Sequence, residues 1–131
     1  MVSTLTFPLR IRFGDGAIGE LPFELDRLGV QRPLVVTDPG ILETGLLDRA
    51  VGGLPNVVVY SEVQANPTES DVLRGLETYR NNSCDGLIAL GGGSPIDAAK
   101  AIRLLATHPG QLADYDLTTG GSERITSELP P

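Results

Sequence analysis

Apolar residues along this chain come in two alternating textures. Short unbroken runs, Pro33-Leu34-Val35-Val36-Thr37, Asn56-Val57-Val58-Val59-Tyr60 and Asp85-Gly86-Leu87-Ile88-Ala89-Leu90, have the length and composition of buried strands. Between them, apolar residues recur at helical spacing. Ile18, Leu21, Leu25 and Leu28 mark one face of a helix over 17–28, which Gly29 stops. Residues 41–51 read as a second helix, ended by Gly52-Gly53. Val72, Leu73, Leu76 and Tyr79 stripe a third that begins at Thr68, where Thr68-x-x-Asp71 is an acidic variant of the capping box. A fourth runs from Ser94 to Thr107. The alternating segment Arg10-Ile11-Arg12-Phe13 predicts one further strand near the start. From Leu112 to Pro131 the pattern turns polar around Gly120-Gly121, which predicts a loop or a β-hairpin. Strand–helix alternation of this kind predicts an α/β fold, a parallel sheet with helices on its faces.

Composition narrows the class of protein. The chain has 131 residues, one domain's worth, with 40% hydrophobic and 21% charged residues, ordinary for a globular protein. A net charge of −7, with basic residues scattered singly, argues against a nucleic-acid surface. No apolar run approaches the roughly 18 residues that span a bilayer, and the first residues lack the basic and apolar regions of a secretory signal. A single cysteine, Cys84, forms no internal disulfide, so a cytoplasmic location is expected. Cys84 reads as a small apolar filler near a strand start. His108, the single histidine, sits where a helix C-terminus favours a cation.

The densest chemistry lies at the junction Ala89-Leu90-Gly91-Gly92-Gly93-Ser94-Pro95. A strand ends in three glycines, and an alanine-rich helix begins at once, with Ser94 expected to cap it and Pro95 to take its first position. Glycines let a ligand approach the backbone, and the first helical N–H groups favour an anion. The pattern points to a phosphate or pyrophosphate site; as a plain corner it would need one glycine. Gly14-Asp15-Gly16-Ala17-Ile18-Gly19 competes as a G-x-G-x-x-G fingerprint, with Asp38 downstream where the ribose carboxylate belongs. Its preceding strand is short, however, and Asp15 and Glu20 would repel phosphate. Asp38 ends a strand and either grips ribose hydroxyls, favouring NAD over NADP, or simply forms a turn with Pro39-Gly40. Asn66 stands beyond the next strand, as a nucleotide contact or a helix-entry residue. Asp97 faces the helix dipole, with Lys100 one turn on. The spacing around Lys100 is not that of a P-loop.

GGGSPIDAAKAI resembles the cofactor loop of the iron-dependent (group III) alcohol dehydrogenase family. Phe13-Gly14-Asp15-Gly16-Ala17, Val35-Val36-Thr37-Asp38-Pro39-Gly40, Asn66-Pro67-Thr68 and Asp114-Tyr115 resemble that family's other landmarks, in its order. The resemblance implies a Rossmann-like nucleotide-binding domain over residues 1–131, the N-terminal domain of a two-domain dehydrogenase, with the tail 112–131 leading toward a helical C-terminal domain. It implies pyrophosphate on Gly92, Gly93 and Ser94, ribose on Asp38, and Asn66 and Asp97 near the nucleotide. The cofactor implied is NAD rather than NADP, the substrate an alcohol or aldehyde, and the assembly a homo-oligomer. Iron or another divalent metal would belong to the C-terminal domain, since one histidine makes no multi-histidine site. No catalytic or metal-binding residue is therefore expected in this chain. Maleylacetate reductases, polyol dehydrogenases and dehydroquinate-synthase-like enzymes share the resemblance, and a non-catalytic nucleotide-binding or interaction module is the other alternative.

Overall fold

The structure, a computed structural model, describes residues 9–131. Three strands, β1 (Pro33–Val36), β2 (Val58–Tyr60) and β3 (Gly86–Ala89), form a parallel sheet in the order β2-β1-β3. Leu34 pairs with Val58 on one side and Leu87 on the other. The central strand is buried at every position, as a parallel strand covered on both faces must be.

Side chains of β1 alternate between two cores. Leu34 and Val36 pack with Tyr60, Val72, Leu76, Ala98, Ile102 and Leu105 under α4 (Glu69–Asn81) and α5 (Gly93–Thr107). Val35 points the other way, toward Ala50 and Val51 of α3 (Leu46–Val51) and Leu21 of α1 (Leu21–Leu28). The α/β expectation, with helices on both faces, therefore holds. The α4–α5 crossing is close because Gly75 has no side chain: a Cβ there would strike Ile102 and Tyr60.

Four local expectations change. Arg10–Phe13 forms no strand; Phe13 is 99% exposed and Ile11 74%. Its alternation comes instead from two arginines that reach α1 and its approach. Arg12 Nε contacts Glu24 Oε1 at 2.7 Å, and Arg10 contacts the same oxygen at 3.4 Å. The guanidiniums of Arg12 and Arg27 hold the Glu24 carboxyl below the usual carboxylate range. The helix expected over 41–51 is two, α2 (Pro39–Glu43) and α3, because Gly45 takes φ 72 at the break. Leu73 lies half outside at 49%, its place on the inner face of α4 taken by Gly75 and the fully buried Asp71. The tail folds as three short 3₁₀ turns over 112–124 and then runs back along β3, where Leu87 N donates to Pro131 O at 2.8 Å; no hairpin forms.

His108 anchors that tail. It is buried, and its Nε2 accepts from the main-chain N–H of both Thr126 and Ser127 at 3.1 Å. That nitrogen therefore carries no proton, and Nδ1 donates to Leu104 O at 3.2 Å. At this helix end the histidine serves as a structural ring that ties the tail to α5. Cys84 is buried as expected, and burial pushes its thiol up.

Candidate nucleotide-binding site

All three strands end on the same edge, and their following loops enclose one groove of about 620 Å³. Asp38, Pro39 and Gly40 come from the end of β1, residues 62–65 from the end of β2, and Gly92, Gly93, Ser94 and Pro95 from the end of β3. The C-terminal edge of an open parallel sheet is where such folds place ligands.

Thr37 fixes the geometry at the centre. It has no exposed surface; its N–H donates to Tyr60 O at 2.9 Å and its Oγ1 to Leu90 O at 2.7 Å. One residue thus joins the ends of all three strands immediately before the glycine turn. Its sequence signal was a polar residue closing the run Leu34-Val35-Val36, read there only as part of the strand.

The three glycines divide into two kinds. Gly91 has φ 141, and a Cβ on it would come within 2.8 Å of Pro95 Cγ and 3.3 Å of Asp38 Oδ2. Fold and backbone alone require glycine there. At Gly92 and Gly93 a Cβ would meet nothing within 4 Å, and neither has a positive φ. The space their missing side chains leave is the groove itself. A group that must approach the backbone fits this cradle.

The N-terminus of α5 points into the same space. Gly92, not Ser94, occupies the N-cap position, with no side-chain cap and no acidic residue in the first turn. Pro95 is accordingly the third helical residue, not the first. Ser94 fails as a cap because its hydroxyl is used elsewhere: Oγ donates to Ala65 O at 2.5 Å, joining the glycine turn to the loop after β2. Ile96 N is the first amide to bond back, to Gly92 O at 3.4 Å. The helix therefore supplies no partner for the N–H of Gly93 or Ser94. No lysine or arginine lines the groove among the described residues, so an anion here is met by main-chain donors and the helix dipole.

Asp38 does two things at once. Its Oδ1 accepts from Ile41 N at 3.0 Å and caps α2, while Oδ2 faces Gly91 at the mouth of the groove. The turn-forming and ligand-facing readings of this residue are compatible. Asn66 and Asp97 are exposed and do not line the groove; Asp97 pairs with Lys100 at 3.4 Å. Gly14, Gly16 and Gly19 do not line it either. Their turn closes on itself through Ala17 N to Gly14 O at 3.1 Å and Gly19 N to Gly16 O at 2.9 Å, which takes two of the competing fingerprint's amides. Glu62, Val63, Gln64 and Ala65 form a wall that carried no sequence signal beyond a short polar stretch before Pro67. Among the described residues, no group of three or more His, Cys, Asp or Glu side chains is placed to hold a metal ion, and no helix is long and apolar enough to cross a membrane.

The family described as iron-containing alcohol dehydrogenase matches residues 8–131. The chain belongs to the iron-containing alcohol dehydrogenase family. Among relatives in this family, it is 46% identical to a 4-hydroxybutyrate dehydrogenase of Cupriavidus necator over 118 residues, 88% of this chain and 31% of that protein. A 1,3-propanediol oxidoreductase superposes with a TM-score of 0.81 at 33% identity, covering 90% of this chain and 31% of its own. A sulfoacetaldehyde reductase from Bifidobacterium kashiwanohense, solved in complex with NAD+, gives 0.79 at 26% identity over 99% of this chain and 33% of its own. The chain thus spans about a third of the length of the iron-containing alcohol dehydrogenases it matches.

Proposed function

We propose that residues 1–131 are the NAD-binding domain of an iron-containing alcohol dehydrogenase, and that the complete enzyme moves a hydride between NAD and an alcohol or aldehyde. The observation that carries the reading is the uncapped N-terminus of α5 opening onto Gly92 and Gly93, whose missing side chains leave a cradle that nothing in the fold requires. The NAD-bound relative supports the choice of ligand.

In this reading the Gly93 and Ser94 amides meet the pyrophosphate, and the Asp38 carboxylate accepts from the adenosine ribose. The same carboxylate repels a 2′-phosphate, which favours NAD over NADP. Asn66, next to the 62–65 wall, and Asp97, one turn into α5, are the supporting nucleotide contacts of this reading. The dinucleotide, once bound, supplies the hydride chemistry, and these residues supply binding and orientation. A catalytic metal would polarise the substrate oxygen. We place its ligands outside residues 9–131, in a second domain of the complete protein, because no suitable cluster lies among the described residues.

Calorimetric titration of the chain with NAD, NADP and ADP-ribose tests this. Saturable binding, with NAD tighter than NADP, is expected. Asp38→Ser keeps a capping oxygen for α2 while removing the carboxylate, so it is expected to narrow the preference for NAD. No binding at millimolar ligand by the folded chain would overturn the reading and leave an interaction module as the better account.

A further inference from the structure

The wall formed by residues 62–65 belongs to a loop, and loops need something to hold them. Beneath this one lies Asp71, a carboxylate with no exposed surface. Capping α4 occupies one of its oxygens: Oδ2 accepts from Thr68 N at 2.8 Å, while Thr68 Oγ1 accepts from Asp71 N at 3.3 Å. The other oxygen has no part in the cap. Oδ1 accepts from Arg74 Nη2 at 2.6 Å and from Gln64 Nε2 at 3.3 Å. Arg74 extends the connection to Glu62, whose Oε2 lies 3.2 Å from Arg74 Nε. Even the main chain of Asp71 is engaged, its carbonyl accepting from the Tyr60 hydroxyl at 2.8 Å.

From the Asp71 carboxylate, contacts therefore run directly to residues 64 and 68 and through Arg74 to residue 62, while its main-chain carbonyl holds Tyr60 at the strand end. The loop in turn grips the glycine turn, through Ser94 Oγ on Ala65 O. A helix cap needs none of these additional contacts. A buried carboxylate with several donors is also unforgiving, because each donor it loses leaves charge unsatisfied in a place water cannot reach.

We propose that Asp71 is the positioning residue of the nucleotide groove, fixing the 62–65 wall against the glycine turn while touching no ligand itself. The inference rests on the nucleotide reading of the groove, and its test separates the two. ADP-ribose titration is run on wild type, Asp71→Asn, Arg74→Gln and Thr68→Ala well below their melting temperatures, alongside hydrogen exchange at the amides of residues 62–65. Asp71→Asn is expected to weaken binding about tenfold and to speed exchange at 62–65 more than in β1. Arg74→Gln, outside the cap and away from the groove lining, moves both readouts the same way by a smaller amount, and it serves alone where Asp71→Asn does not fold. Thr68→Ala, which removes only the cap hydroxyl, lowers the melting temperature and leaves the dissociation constant unchanged.

If the wild type binds and both Asp71→Asn and Arg74→Gln bind equally well, Asp71 is a cap and nothing more. If the wild type does not bind, the nucleotide reading itself fails.

Discussion

The two longest helices begin on the same edge of the sheet, and their N-termini are treated in opposite ways. At α4, Thr68 and Asp71 exchange side chain and main chain reciprocally, and Glu69 adds a second negative charge to the first turn. At α5, the N-cap is Gly92, there is no side-chain cap and no acidic residue in the first turn, and the nearby hydroxyl of Ser94 is directed to Ala65. A cap is worth about 1 kcal/mol to a helix. This chain supplies one where the helix end does not line the groove and withholds it where the end does. The difference teaches that a missing stabiliser, set beside one that is present, marks an open helix end more sharply than a glycine count does.

Filling the empty N-terminus should break the contrast most strongly. Gly93→Val places a branched side chain into the groove where a Cβ now meets nothing, so the fold is expected to survive by circular dichroism while ADP-ribose affinity drops at least tenfold. Gly92→Asp gives α5 the carboxylate that α4 already has. It is expected to raise stability by a few tenths of a kcal/mol in urea unfolding and to lower affinity for the anion, opposite signs from one substitution. A variant both less stable and tighter-binding would sink the comparison. Thr68→Ala makes α4 resemble α5 and is expected to cost about 1 kcal/mol of stability without creating a new anion site.

Acid sharpens the same contrast, because of these two helices α4 alone has a titratable group in its cap. The Thr68 main-chain N–H, opposed by burial and helped by Gln64 and the Thr68 side chain, holds the Asp71 carboxyl below the usual carboxylate range. A carboxyl whose folded value is lowered contributes stability that is fully present above the unfolded value of about 3.9 and is lost as pH falls through the folded one. Stability should therefore decline below about pH 4, and Asp71→Asn should flatten that part of the curve. The smallest effect is expected at the far end of α5. His108→Phe removes the acceptor for Thr126 and Ser127 and should speed hydrogen exchange at those two amides, with little change at the groove.

Much of this could be read in the sequence, and the failures have a common cause. β1, β3, α4 and α5 follow from local runs and spacing, and the glycine turn was visible because strand, glycines and helix adjoin. The misreadings arose where a distant partner decided. Arg10 and Arg12 alternate like a strand, yet their charges are bound to Glu24. Ser94 has the chemistry of a cap, yet its hydroxyl donates to a carbonyl 29 residues away. Asp71 was read only as the end of a capping box, since Gln64 and Arg74 converge on it in three dimensions and share no pattern with it. The break at Gly45 is the exception, a local signal available in the sequence and passed over within a helical stretch.

Cys84 carries a practical consequence. It is the chain's single thiol, buried at the start of β3 against the α4 side of the core, with its ionisation suppressed by that burial. Only the thiolate reacts with alkylating reagents. Its rate of modification therefore clocks how often this layer of the protein opens. A ligand seated at the opposite end of β3 should slow that clock in proportion to its occupancy, so one native atom can report binding without a label.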